Sequence, residues 1–252
     1  MLTPLDMHAH IKPDIAPSEL HRLGACVAAM TRSLTEYADV AQRDDPSVAW
    51  GVGCHPSLAK AVRGFSRDAF QAALPSTPVV GEVGLDGSAK VPLDAQQDVF
   101  DSVISALVET PRIVSIHSYR ATNHVLDTIE RHQPKGVVLH WWLGTDEQTR
   151  RAVDLGAYFS VNASQIGRWA PLAVVPTTRL LTETDHPFGD RREAAPQRPG
   201  NISLVERRLG DSIGLRPDGV RRLVWRNLSQ LAADTGVQDM LPRQFQVQML
   251  SS

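Results

Sequence analysis

Residues 5–13 read LDMHAHIKP. Leu5–His8 has the length of a short strand, and its end carries two histidines, His8 and His10, two positions apart. In a strand, residues i and i+2 point to the same face, so this pair can clasp one ion from one side. Asp6 stands two before His8. Alone, the stretch reads equally as a strand that carries polar residues and as the first part of a metal site. The recurrence of its pattern along the chain decides between them.

Seven further runs look like strands: Ala25–Met30, Val48–Gly53, Val79–Glu82, Ile113–His117, Gly136–His140, Ala157–Val161 and Arg179–Glu183. Several are continuously apolar, as parallel strands buried on both faces would be. Helical patterns lie between them. Asp94 with Gln97 resembles a capping box, with Val99, Val103 and Leu107 following on one face. Ala121–Arg131 carries Val125 and Ile129 at similar spacing, and Thr145 with Gln148 opens a helix that stops near Gly156. Ser18–Leu23 and Ser66–Leu74 are shorter candidates; Ile202–Leu215 and Pro217–Thr235 close the pattern. Strands alternating with helices eight times predict an α/β fold, a single (β/α)8 TIM barrel with some distortion of the ring allowed. Its active site is expected at the C-terminal ends of the strands. The barrel domain is expected over 1–236, with 237–252 as a loosely held tail. The Pro-, Arg- and Glu-rich stretch 189–200 is expected to be a loop after the eighth strand.

Composition sets limits on function. With 42% hydrophobic and 21% charged residues, the chain can bury a core and is not expected to be disordered. A net charge of −2 excludes a strongly basic polyanion binder as a whole. Between Arg191 and Arg226, however, nine arginines face four acids. That excess could favour a phosphate-bearing partner or could be a solvated helical face. Cys26 and Cys54 lie in apolar runs, so reduced thiols are expected rather than a disulfide. There is no basic, then apolar, leader pattern and no membrane-length apolar run. A cytoplasmic protein with no membrane partner is therefore the expectation.

The polar residues cluster where a barrel would use them. The runs end in or just before His8 and His10, His55, Glu82, His117, His140, and Glu183 with Asp185. Strand ends converge on one mouth in such barrels. A lone histidine there is more often structural, but buried charges are rare unless paired or metal-bound. Four histidines (His8, His10, His117, His140) and two acids (Glu82, Asp185) therefore point to a metal site. Nitrogen with carboxylate oxygen suits zinc, manganese or iron, whereas magnesium favours oxygens. Six ligands exceed the need of one tetrahedral zinc, so two divalent ions (Zn, Mn or Mg) sharing a carboxylate fit better.

The stretches DMHAH (6–10), GCHP (53–56), GEVGLD (81–86), IHS (116–118), LHWWLG (139–144) and TETDHPF (182–188) resemble, in order, the motifs of the TatD family of metal-dependent deoxyribonucleases in the amidohydrolase superfamily. The resemblance spans most of the chain. It implies a nuclease, probed first as an exodeoxyribonuclease on single-stranded or frayed DNA ends, hydrolysing phosphodiester bonds with water activated by two metals. It implies that His8, His10, Asp185 and Glu82 hold the first metal and that Glu82 bridges to a second held by His117 and His140. His55 would contact the substrate phosphate. Asp185 would orient the attacking water and take its proton, and Asp6 would support the site from behind. Trp141 or Trp142 could stack on a base, or fill the barrel rim.

The chain also departs from the family. HSYR places Tyr119 where members often have an arginine, with Arg120 one later, which puts a phosphate contact by Arg120 in question. HWWLG is bulkier than the usual stretch, and GSAKVP replaces an aromatic pair after GLD. GEVGLDGS with VLHWW is more similar to the TatD-like nucleases of a bacterial anti-phage cassette, the Qat system. That likeness implies a role in phage defence with the cassette's other subunits as partners. Two alternatives are a small-molecule hydrolase of the amidohydrolase type and a non-catalytic barrel subunit of a defence complex.

Overall fold

The computed structural model describes residues 2–167, 170–191 and 197–252. Eight strands run in chain order: β1 (Leu5–Ala9), β2 (Cys26–Met30), β3 (Val48–Gly51), β4 (Val79–Gly84), β5 (Ile113–His117), β6 (Val137–His140), β7 (Tyr158–Val161) and β8 (Leu180–Thr182). They coincide with the eight expected runs, shifted at the ends by a few residues. All paired neighbours are parallel, β1-β2-β3 in one sheet and β4 to β8 in another.

Two seams interrupt the ring. At the β3–β4 seam a single bridge, Val52 with Val80, continues the ladder, and the Gly81 and Cys54 amides donate to Val52 and Glu82 carbonyls at 2.9 Å each. At the β8–β1 seam the Thr182 hydroxyl donates to the Leu5 carbonyl at 2.6 Å, and the Asp185 amide to that of His8 at 2.8 Å. The expected barrel is therefore present with its ring distorted at two places.

The helices are α1 (Pro17–Leu23), α2 (Leu34–Ala38), α3 (Ala59–Arg63), α4 (Arg67–Ala73), α5 (Leu93–Glu109), α6 (Thr122–His132), α7 (Asp146–Asp154), α8 (Ser203–Ile213), α9 (Pro217–Thr235) and α10 (Arg243–Leu250). Thr145 caps α7 as expected: its hydroxyl accepts from the Gln148 amide at 3.3 Å, and the Gln148 side chain accepts from the Thr145 amide at 2.9 Å. The Asp94–Gln97 box does not form. Pro92 occupies the cap of α5, where its fixed φ prepares the helix, and Asp94 falls inside the first turn. The Gln97 amide turns sideways instead, to Asp101 and to Thr128 of α6.

The segment 237–252 is not loose. It forms α10, whose Phe245 is fully buried edge-on to Trp225 of α9, 5.8 Å between ring centres. The Gln244 amide donates to the Pro46 carbonyl at 2.9 Å, and the Gln248 side chain accepts from the Thr3 amide at 2.7 Å. One aromatic anchor and two tethers supply what a weak helical period does not show.

Of the loop expected at 189–200, residues 192–196 lie outside the described residues, and with them Arg192 and Glu193 of the basic stretch. The rest of that stretch is partly taken up internally. Arg221 forks onto Glu206 at 2.7 and 2.6 Å, joining α9 to α8. Arg222 pairs with Asp218 at 3.2 Å.

Candidate metal centre

Two irregularities in the sheet place the central ligands. The β1–β2 register shifts between Asp6 and Ala9, which flanks His8, and the β4–β5 register shifts between Val80 and Val83, which flanks Glu82. Such bulges re-aim side chains beside active sites. Glycines admit the close approach that follows. A Cβ on Gly53 would lie 2.0 Å from the Thr31 carbonyl oxygen, and one on Gly84, at φ +132°, would lie 2.1 Å from that of His117.

The structure brings all six expected ligands together around Glu82. One oxygen, Oε2, faces His10 Nε2 at 3.1 Å, His55 Nε2 at 3.4 Å and His8 Nε2 at 3.6 Å. The other, Oε1, faces His117 Nδ1 at 2.7 Å and His140 Nε2 at 2.9 Å. Asp185 Oδ1 lies 3.8 Å from His8 Nε2 and 3.9 Å from His10 Nε2. His8 also stacks on His140, 3.9 Å between ring centres, so the two histidine sets touch.

The outer nitrogens of the rings fix which inner atom is free. His10 Nδ1 is 3.0 Å from the Met30 carbonyl, which can only accept. His10 therefore carries its proton on Nδ1, and its bare Nε2 faces a carboxylate oxygen. Two acceptors at that distance require a proton or a cation between them. His8 Nδ1 engages the Ser115 hydroxyl at 2.7 Å, which leaves its buried Nε2 in the cluster without a hydrogen-bond partner. His55 is the reverse case. Its Nδ1 accepts from the Ser57 amide at 3.2 Å, so its proton sits on Nε2 and it offers a donor to the site. Tetrahedral coordination at a bond length of about 2.0–2.1 Å separates ligand atoms by roughly 3.3 Å. The contacts to Glu82 fall around that figure, so the residues present fit divalent ions.

Charge makes the same demand. Burial alone would raise the Glu82 carboxyl, but the facing histidines, His55 and His140 foremost, hold it well below the usual range. Burial would lower His140, and Glu82 with Glu183 lifts it well above. Burial lowers His8 and takes His55 down to about 4, so both stay neutral near pH 7. Asp185 is pushed well above the carboxylate range, by burial first and then by Glu183, Glu82 and Asp6, against the pull of His140. A cation among these groups would reverse that push.

Asp6 stands behind the centre as expected. Its carboxylate accepts from the Thr184 amide and hydroxyl at 2.8 and 2.7 Å and from the Gly200 amide at 2.8 Å, tying β1 to the chain after β8. Burial pushes it up to about 7 against those bonds. Three supporting residues carry no role in the sequence reading: Glu183, noted there only as a strand-end acid, Asp86 and Ser115. Glu183 is fully buried, accepts from Asn162 at 3.0 Å and from the Trp141 amide at 3.1 Å, takes the Ser160 hydroxyl, and faces His140 Nδ1 at 3.8 Å. Asp86 faces His117 Nε2 at 3.4 Å, and Ser115 orients His8. The i, i+2 rule applied to Glu183 and Asp185, as to His8 and His10, would have found the first.

Above the cluster lies a cavity of about 470 Å³, lined by His10, His55, Glu82, His117, His140 and Asp185 below and by Tyr119, Trp141, Leu143 and Phe188 at its rim. Trp141 thus reaches the cavity, whereas Trp142 is buried in the core with its indole N–H on Thr149. Arg120 is not among the lining residues; its guanidinium sits 5.4 Å from the centre of the Tyr119 ring. Cys26 and Cys54 are free and buried. Among the described residues no helix is long and apolar enough to cross a membrane.

Fold and cluster together define a class: parallel β/α barrels whose strand ends converge on a histidine–carboxylate site for divalent ions. Within that class the chain belongs to the TatD family, since the family described as TatD related DNase matches residues 5–232. The 3'-5' ssDNA/RNA exonuclease TatD of Citrobacter rodentium is 28% identical over 156 residues, covering 58% of this chain and 59% of that protein. The deoxyribonuclease Tat-D of Schizosaccharomyces pombe is 31% identical over 121 residues, covering 44% and 38%. The chain thus matches about half the length of these curated relatives. The structure of the TatD homologue YJJV from Escherichia coli K12 has the same fold, with a TM-score of 0.75 over 90% of this chain and 97% of that one at 22% identity.

Proposed function

We propose that this protein is a metal-dependent nuclease that hydrolyses phosphodiester bonds at single-stranded or frayed DNA ends. The observation that carries the reading is the division of Glu82: one carboxylate oxygen faces His10, His55 and His8, the other faces His117 and His140. His8, His10, Asp185 and Glu82 would hold one ion, and Glu82, His117 and His140 a second, of zinc, manganese or magnesium. When bound, such a pair supplies Lewis-acid charge and water of lowered pKa. The chain's own groups do the rest. Asp185, beside both His8 and His10, orients the attacking water and takes its proton. His55, with its proton on Nε2, donates to a phosphate oxygen. Glu82 stays ionised and fixes the spacing of the two histidine sets. Relatives named as a 3'-5' ssDNA/RNA exonuclease and as a deoxyribonuclease support the substrate class. A cavity mouth admits a strand terminus more easily than the middle of a duplex. The likeness of GEVGLDGS and VLHWW to the Qat nucleases supports a role in phage defence beside other subunits.

The test is release of mononucleotides from end-labelled single-stranded DNA by metal-loaded protein. Asp185→Asn and Glu82→Ala should each lower the rate by about a hundredfold or more. Metal-loaded protein that leaves every single- and double-stranded DNA and RNA intact would sink the reading. The cavity volume also suits a small ester or nucleotide. A panel of those compounds, run on the same preparation, separates that second reading from the first.

A further inference from the structure

The rim of the cavity is built unlike its floor. Among the described residues only a few large apolar side chains are exposed, and three of them, Tyr119, Leu143 and Phe188, line this one cavity. They follow β5, β6 and β8, two neighbouring strands and one further round the sheet. A concentration of exposed apolar surface in one place marks a binding site. Phe188 stands edge-on to His10, 5.6 Å between ring centres, which sets it directly against the metal cluster.

Each of the two aromatic rings carries an arginine. The Arg120 guanidinium lies 5.4 Å from the Tyr119 ring centre, and that of Arg191 lies 4.8 Å from the Phe188 ring centre. The Arg191 Nε also donates to the Pro187 carbonyl at 3.2 Å, which fixes it in place. Among the described residues, the contacts of these guanidinium groups are to the two rings and to the Pro187 carbonyl. They thus bring positive charge beside two of the rings that line the mouth. A ring that offers a π-face beside a cation is the arrangement that holds unpaired bases and their phosphates without regard to sequence. The site is thus polar with candidate metal ligands below and apolar above, with an arginine beside each of two rim rings. A nucleotide has the same polarity, phosphate at one end and base at the other.

We propose that the Tyr119–Arg120 and Phe188–Arg191 pairs form a clamp for the unpaired base of the terminal nucleotide. The rings stack on the base and the guanidinium groups take the adjoining phosphates. The proposal rests on the nuclease reading and adds to it the residues that select a nucleic-acid end over a small phosphodiester.

The experiment uses metal-loaded full chain and single-stranded oligonucleotides that differ only at one terminal residue, either a normal nucleotide or an abasic analogue, each end tested separately. The readout is the ratio of first-cleavage rates, base-bearing over abasic, at substrate below KM. Wild type should favour the base-bearing end by roughly tenfold or more. The Tyr119→Ala/Phe188→Ala double variant should bring the ratio near one, and Tyr119→Phe with Phe188→Trp should keep it. The single variants Tyr119→Ala and Phe188→Leu should lower it part way, which keeps the test decisive if the double variant does not fold. A wild-type ratio near one, or an unchanged ratio in the alanine variants, overturns the clamp and leaves the nuclease standing. Wild type that cleaves neither oligonucleotide overturns the nuclease reading and the clamp with it.

Discussion

His10 and His55 both turn Nε2 toward the same oxygen of Glu82, yet their outer contacts give them opposite roles. The Met30 carbonyl leaves the lone pair of His10 Nε2 toward Glu82, and the Ser57 amide leaves His55 Nε2 as a donor. His10→Ala should therefore lower the metal content per chain. His55→Ala should keep that content and slow cleavage by about a hundredfold to a thousandfold, the cost of one lost donor to a developing anion. Loss of metal from the His55 variant would show that the tautomer argument is wrong. The two cysteines give a separate check. Burial pushes both thiols up to about 12. A raised thiol pKa contributes stability that is fully present below the unfolded value near 9 and lost as pH rises through about 12. At pH 8 a thiol reagent should react with neither cysteine in the folded protein and with both in urea; rapid labelling of the folded chain would contradict their burial. At this scale the candidate ligands were legible because each stands at or just past the end of an apolar run, where a charged residue has few other reasons to stand. The contacts of Ser115 and Asp86 were not, because a supporting contact depends on which side chains meet across strands, and single-strand patterns do not contain that.

Among the elements, β1 and β4 each hold a candidate ligand at a break in register, and each such break turns one side chain toward the common centre. β2, β3 and β6 were legible because burial on both faces leaves them apolar, β6 up to its final His140. Pro217–Thr235 was legible to the residue, with a proline at its start and Gly236 in the left-handed region at its end. The five-residue helices α2 and α3 were not, since so few residues show no period. Nor was α10, which owes its place to Phe245. Phe245→Ala should destabilise the protein by about 3–5 kcal/mol, read from the urea unfolding midpoint. A loss well under 1 kcal/mol would mean that the segment contributes little and that the fold ends near Gly236.

For the whole molecule, the ring is held at its two seams by a few bonds, and those bonds belong to the site's neighbourhood. Asp185 and His8 close one seam through their backbones, and Cys54 and Glu82 close the other. The backbone bonds that close the barrel thus belong to the same residues, or their neighbours, that converge on Glu82. The alternation of strands and helices made this architecture readable in advance. The seams were not readable, because they depend on register between strands far apart in the chain. The central claim is that Glu82 stands between two divalent ions that serve cleavage of a nucleic-acid end. Metal content and cleavage of end-labelled single-stranded DNA, measured on one preparation, test it most directly. The account predicts about two ions per chain and cleavage that a chelator abolishes and added metal restores. About zero ions per chain, or cleavage indifferent to the chelator, would contradict it.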